Sequence, residues 1–131
     1  MNTLKWKRIY DPAQASDGDR ILVDQLWPRG VSKEKAALDE WAKPITPSTE
    51  IRKAYHEGQI NFQDFSKKYE KELEHSQAFN EFTDDLKERL EDRDVTLVFA
   101  GKTPDRTHLP VLKRQLERQG PDARRHRLQW Q

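Results

Sequence analysis

The sequence predicts an α/β fold, with a small, mostly parallel sheet of three to four strands flanked by about five helices. Two short apolar runs point to it. Ile21-Leu22-Val23 is continuous, and Val95-Thr96-Leu97-Val98-Phe99 is broken only by a β-branched Thr. Such runs suit strands covered on both faces. Between them, Phe62, Phe65, Tyr69 and Leu73, and then Phe79, Phe82, Leu86 and Leu90, recur three and four residues apart. That spacing marks one face of a helix. Strands separated by helices build a layered α/β domain, and the strands at 20 and 95 are expected to be parallel neighbours.

Leu4 to Tyr10 partly alternates and reads as a first strand. Asp11-Pro12 and Ser16-Asp17-Gly18-Asp19 supply turn chemistry before the second strand at 20–24. Pro28 and Gly30 then break the chain. Ser32 is placed to cap a helix running to about Ala42, with Leu38, Trp41 and Ala42 inward. Thr46-Pro47 reads as the start of another helix, which carries Ile51, Ala54 and Tyr55 inward and stops at Gly58. Asn61 and Asp64 resemble a capping pair. The six-residue gap from Leu73 to Phe79 puts a break near His75-Ser76. After the strand at 95–99, Thr107 is positioned to cap a last helix carrying Leu109, Leu112 and Leu116. Residues 1–119 thus read as a single domain, and 120–131, without periodicity, as a flexible basic tail.

Charged residues make up 36% and apolar residues 34%, a balance that borders on disorder. Four Trp, five Phe and three Tyr restore enough buriable area for a core. With no Cys, disulfides, thiolate nucleophiles and Cys-ligated metals are excluded. No stretch resembles a signal peptide or a spanning helix, so the expected location is the cytoplasm. The net charge of +1 hides a gradient. Residues 61–94 hold 6 basic against 11 acidic side chains, and residues 95–131 hold 8 against 3.

Ligands of open α/β sheets gather beyond the carboxyl ends of the strands. Two loops qualify. One carries Asp24, Trp27, Arg29 and Gly30, and the other carries Gly101 and Lys102 and leads to His108. Arg29 offers a planar donor fork, Lys102 a point charge, and Gly30 close backbone approach. Together they would suit a phosphate or carboxylate, with Trp27 packing on its body and Asp24 or His108 moving a proton. Each residue also has a structural reading: Trp27 as a core plug, Arg29 paired with Asp24 or Asp39, Lys102 as plain surface, His108 as a helix-start residue. His56, His75, His108 and His126 are scattered without ligand spacing, so neither a metal nor a cofactor is implied.

The segments R-I-L-V-D-Q-L-W-P-R-G-V-S-K at 20–33, L-D-E-W-A-K-P-I-T-P-S-T-E-I-R-K-A-Y-H at 38–56 and V-T-L-V-F-A-G-K at 95–102, with K-R-I-Y-D-P at 7–12, carry a resemblance. Over about residues 4–118 the chain resembles the YeaO-like family of bacterial domains of unknown function. The resemblance implies a compact α/β domain in a bacterial cytoplasm and supplies no reaction. It puts the family's recurring polar positions on Arg8, Asp24, Trp27, Arg29, Ser48, Lys102 and His108. Two departures stand out. Gln25 replaces an Arg, and Thr107-His108-Leu109 replaces Asn-His-Ala.

The function these readings favour is binding of a small anionic ligand. Asp24 and His108 are the candidate catalytic groups; Arg8, Trp27, Arg29, Gly30, Ser48 and Lys102 are the candidate ligand-binding ones. Whether the chain is an enzyme stays open. The alternative is a module without catalysis. It would contact protein through the acidic 61–94 segment, or nucleic acid through Lys5-Lys7-Arg8 and the C-terminal cations. Its oligomeric state is not readable from the sequence.

Overall fold

The computed structural model describes residues 2–102, 104–119 and 128–130. Ten regular elements follow in order: β1 (Leu4–Arg8), β2 (Asp19–Leu22), α1 (Lys33–Ala36), β3 (Glu40–Trp41), α2 (Thr49–His56), α3 (Phe62–Glu74), α4 (Gln77–Asp92), β4 (Val95–Phe99), α5 (Leu109–Gln119) and β5 (Leu128–Trp130). The sheet is entirely parallel, in the order β3-β2-β4-β1-β5. Its body is the four strands β3-β2-β4-β1, and β5 adds three residues beside Leu4–Trp6. These three belong to the segment expected to be a tail; the rest of that segment lies outside the described residues.

β4 sits at the centre, with Val95 to Phe99 buried throughout. Leu4, Trp6, Ile21, Val23, Val95, Leu97 and Phe99 face one side, where Tyr69, Leu73, Phe79, Leu86, Leu90, Leu112 and Leu116 pack on them. With Ile51 of α2 in the same cluster, four helices cover this face. Leu22 and Val98 face the other, under Ile9, Ala36, Trp27, Val31, Leu38 and Trp41. Alternation sends Lys7 and Arg20 to this second face, where both are buried around Asp17. The β1–β2 connection there has no α-helix, only a 3-10 turn at Ala15–Asp17.

The helix expected from Ser32 to Ala42 is a single turn. Ser32 caps it as expected, accepting from the Lys35 N–H. Ala37 then adopts left-handed backbone at φ 48° and stops it. Asp39 turns back so that its carboxylate accepts from the Arg20 N–H at 2.8 Å, and Glu40-Trp41 pairs with β2 as an edge strand. The apolar spacing of Leu38, Trp41 and Ala42 arises from sheet packing, not from a helix face. At α2, Ser48 is the cap and Pro47 precedes it, so the helix starts two places later than the sequence suggested. Asn61 and Ser76 cap α3 and α4, which separates them at the expected break.

Candidate functional site

The carboxyl ends of β1, β2 and β4 meet through Asp24, Arg8 and Ala100. Asp24 follows β2, and its Oδ2 accepts from the Ala100 N–H beyond β4 at 2.8 Å. Arg8 at the end of β1 donates from Nη2 to the Ala100 carbonyl at 2.9 Å and lies over the Tyr10 ring. His108, opening α5, closes the group: its Nε2 is 2.6 Å from the Val23 carbonyl and 3.6 Å from Asp24 Oδ1. A carbonyl only accepts, so Nε2 carries the proton and donates to Val23. The two loops expected to converge do converge.

Burial decides the protonation of this pair. It lifts the Asp24 carboxyl above its usual range, while the nearby His108 and the Ala100 N–H oppose that rise. It depresses His108, against the opposing pull of Asp24 and the Val23 carbonyl. Tyr69 packs edge-on against His108 at 5.8 Å and donates to the Ile45 carbonyl at 2.7 Å. Burial, with Glu72 and Asp24 nearby, drives its hydroxyl well above its ordinary range.

Beside this floor opens a cavity of about 420 Å³. The β2 loop lines it with Asp24, Gln25, Leu26, Trp27, Pro28 and Arg29. Helix α2 adds Arg52 and His56, α3 adds Phe65, and His108 completes it. Trp27 is held by donation to the Val31 carbonyl at 2.7 Å and by Trp41 edge-on at 5.5 Å. Trp41 in turn donates to the Asp24 carbonyl. Tyr10 donates to the Arg29 carbonyl at 2.9 Å, pinning that backbone while the Arg29 side chain stays exposed. Among the described residues, no carboxylate lies within ion-pair distance of either Arg29 or Arg52. Arg52 Nε and Gln25 Oε1 are buried with no hydrogen-bond partner among the described residues. The other end of the Gln25 amide reaches Thr49 Oγ1 at 3.1 Å.

The candidate residues divide accordingly. Asp24, Trp27, Arg29 and His108 line one cavity. Arg8 supports it through Ala100 and Tyr10. Ser48 caps α2 and donates its own N–H to Glu72. Gly30, at φ 77°, borders a separate cavity of about 470 Å³ with Ile9, Tyr10 and Val31. Lys102 is exposed and lines neither. The second cation of the cavity is Arg52, which reasoning confined to strand-end loops overlooked. A signal existed: Arg52 and His56 stand four apart and share one face of α2, beside the inward-facing Ile51.

Comparison with known proteins fits this chain into one lineage. It is 46% identical over 110 residues to Uncharacterized protein YeaO of Escherichia coli (strain K12), covering 83% of this chain and 92% of that protein. It is 36% identical over 106 residues to Uncharacterized protein Mb3100c of Mycobacterium bovis, covering 80% and 86%. Rv3073c of Mycobacterium tuberculosis matches to the same extent. No solved structure matches. Residues 3–127 match the family described as the Inactive DUF488-N3 subclade, and the chain belongs to that family.

Proposed function

We propose that this domain binds a small anionic ligand in the cavity at the carboxyl ends of β2 and β4, and holds it without transforming it. One observation carries the reading: Arg29 and Arg52 line the same largely apolar cavity, and neither has a carboxylate partner among the described residues. Guanidinium groups in proteins pair with anions when desolvated, and a carboxylate or phosphate meets their fork with two parallel hydrogen bonds. The cavity size falls within the range typical of small-molecule sites.

Two things support binding over turnover. The Nε2–H of His108 is engaged by Val23 and one oxygen of Asp24 by Ala100, so both groups tie loops together. The family's own description carries the word inactive.

The test is calorimetric titration and thermal shift with inorganic phosphate, acetate and benzoate, on the intact protein and on Arg52→Ala and Arg29→Ala. Expected are saturable stabilisation by at least one anion and a loss of affinity of about ten-fold or more in Arg52→Ala. Equal affinity in all three proteins would sink the reading.

A further inference from the structure

We infer that the ligand is a carboxylate that also carries a hydroxyl or amino donor on the adjacent carbon, attached to an apolar body. This rests on the anion-binding reading above and narrows it. The cavity has two chemically distinct sides. On α2, Arg52 presents a guanidinium whose buried Nε has no partner. On the β2 loop, two acceptors stand on consecutive residues. Gln25 Oε1 is buried and unpartnered. Among the described residues, Asp24 Oδ1 has His108 nearby at 3.6 Å as its one polar neighbour, while its sister oxygen is bound to Ala100.

A buried polar atom left without a partner is unfavourable, so a ligand that satisfies both sides gains more than one that satisfies either alone. The Gln25 amide donates to Thr49, one turn before Arg52 on the same helix, and both Gln25 and Arg52 line the one cavity. A carboxylate on Arg52 therefore brings the neighbouring carbon of the ligand close to Gln25, and a hydroxyl or amino group there meets the orphaned oxygen.

Charge selects the same class. Arg29 and Arg52 bring two positive charges against one negative charge on Asp24, a balance met by a monoanion and exceeded by a phosphate dianion. The walls set the rest. Trp27, Phe65, Leu26 and Pro28 give the cavity a mostly apolar lining, suited to a ring or branched chain rather than a sugar.

Three acids on one carbon skeleton, and the amine that remains when the carboxylate is removed, separate these contributions by titration calorimetry. 3-Phenyllactate has carboxylate and hydroxyl, phenylalanine carboxylate and ammonium, 3-phenylpropanoate carboxylate alone, and phenethylamine the amine alone. At least one of the first two is expected to bind about five- to ten-fold tighter than 3-phenylpropanoate, with no binding of phenethylamine. In Gln25→Leu that preference disappears, while 3-phenylpropanoate still binds within about two-fold of its original affinity.

Equal affinity of all three carboxylates overturns the donor requirement and leaves anion binding standing. Inorganic phosphate binding tighter than every carboxylate overturns the monoanion assignment in the same way. No binding of any compound, phosphate and benzoate included, removes both readings. Because the analogue series is read on the unaltered protein, the inference stays testable even if Gln25→Leu does not fold.

Discussion

Single residues fix the geometry on which the site depends. Gly18 has φ 66°, and a Cβ built there would stand 1.9 Å from the Asp94 carbonyl oxygen. That contact is backbone on backbone, beside the 3.0 Å bond from the Asp19 N–H to the same carbonyl, and cannot relax by a rotamer change. Gly18→Ala is expected to lower the unfolding free energy by about 3 kcal/mol, read from urea denaturation. His108 predicts a pH effect. Its proton affinity is lower in the fold than the ordinary value near 6.5. As pH falls through that value, the unfolded chain gains a proton that the folded chain resists. The stabilisation is present above about 6.5 and is lost on descent below it. Asp24 acts with the opposite sign at lower pH, because its carboxyl holds a proton more readily in the fold. Urea midpoints should fall between pH 7 and pH 5.5 for the native chain and stay flatter for His108→Gln; identical slopes would show that His108 is not the titrating group. Four of the cavity's residues, Asp24, Trp27, Arg29 and His108, were legible from strand-end logic. Arg52, His56 and Phe65 were missed: spacing puts Arg52 and His56 on one face of α2, but which strand end that face leans over is a tertiary fact.

At the scale of elements, the long helices were legible and the short ones were not. α3 and α4 announce themselves because Phe65, Tyr69 and Leu73, and then Phe79, Phe82, Leu86 and Leu90, keep one phase, with Asn61 and Ser76 as caps. The 32–42 segment deceived because an edge strand of two residues after a one-turn helix mimics a short amphipathic period. Its hinge is Ala37, an exposed residue in left-handed backbone that an L side chain enters at a cost of about 1–2 kcal/mol. Ala37→Gly should therefore raise stability by about 1 kcal/mol, visible as a higher urea midpoint at constant slope. A decrease would mean that Ala37 contributes packing which outweighs its backbone strain. The parallel pairing of β2 with β4 was also legible, since both runs are buried on two faces. The position of β3 was not, because two residues carry too little pattern.

At the scale of the whole molecule, the described residues cover the two faces of the sheet unequally. Four helices lie on one face of the sheet, while the other is closed by a loop, one helical turn and a buried ionic triad. In the triad, Asp17 accepts from Lys7 at 3.1 Å and from Arg20 at 2.7 Å. Burial works to raise the Asp17 carboxyl, but the Gln14 N–H, Lys7 and Arg20 outweigh it and hold the group below its ordinary range. Its contribution is therefore present above about pH 3.8 and lost as pH falls through its lowered value. Asp17→Asn would leave two buried cations sharing one neutral amide, and should cost about 3–5 kcal/mol in chemical denaturation. A cost under about 1 kcal/mol would mean that water reaches the triad. Among the described residues no helix is long and apolar enough to cross a membrane.

The order β3-β2-β4-β1-β5 has a consequence for how the chain is made. β1 and β2 emerge early from the ribosome, yet each hydrogen-bonds to β4, whose last residue is Phe99. Until that residue has cleared the exit tunnel, the first strand has no neighbour to zip against and the second has only the two-residue edge piece. Nascent chains halted before Val95 should thus carry helices but no assembled sheet, because the strand that joins the first two is still missing.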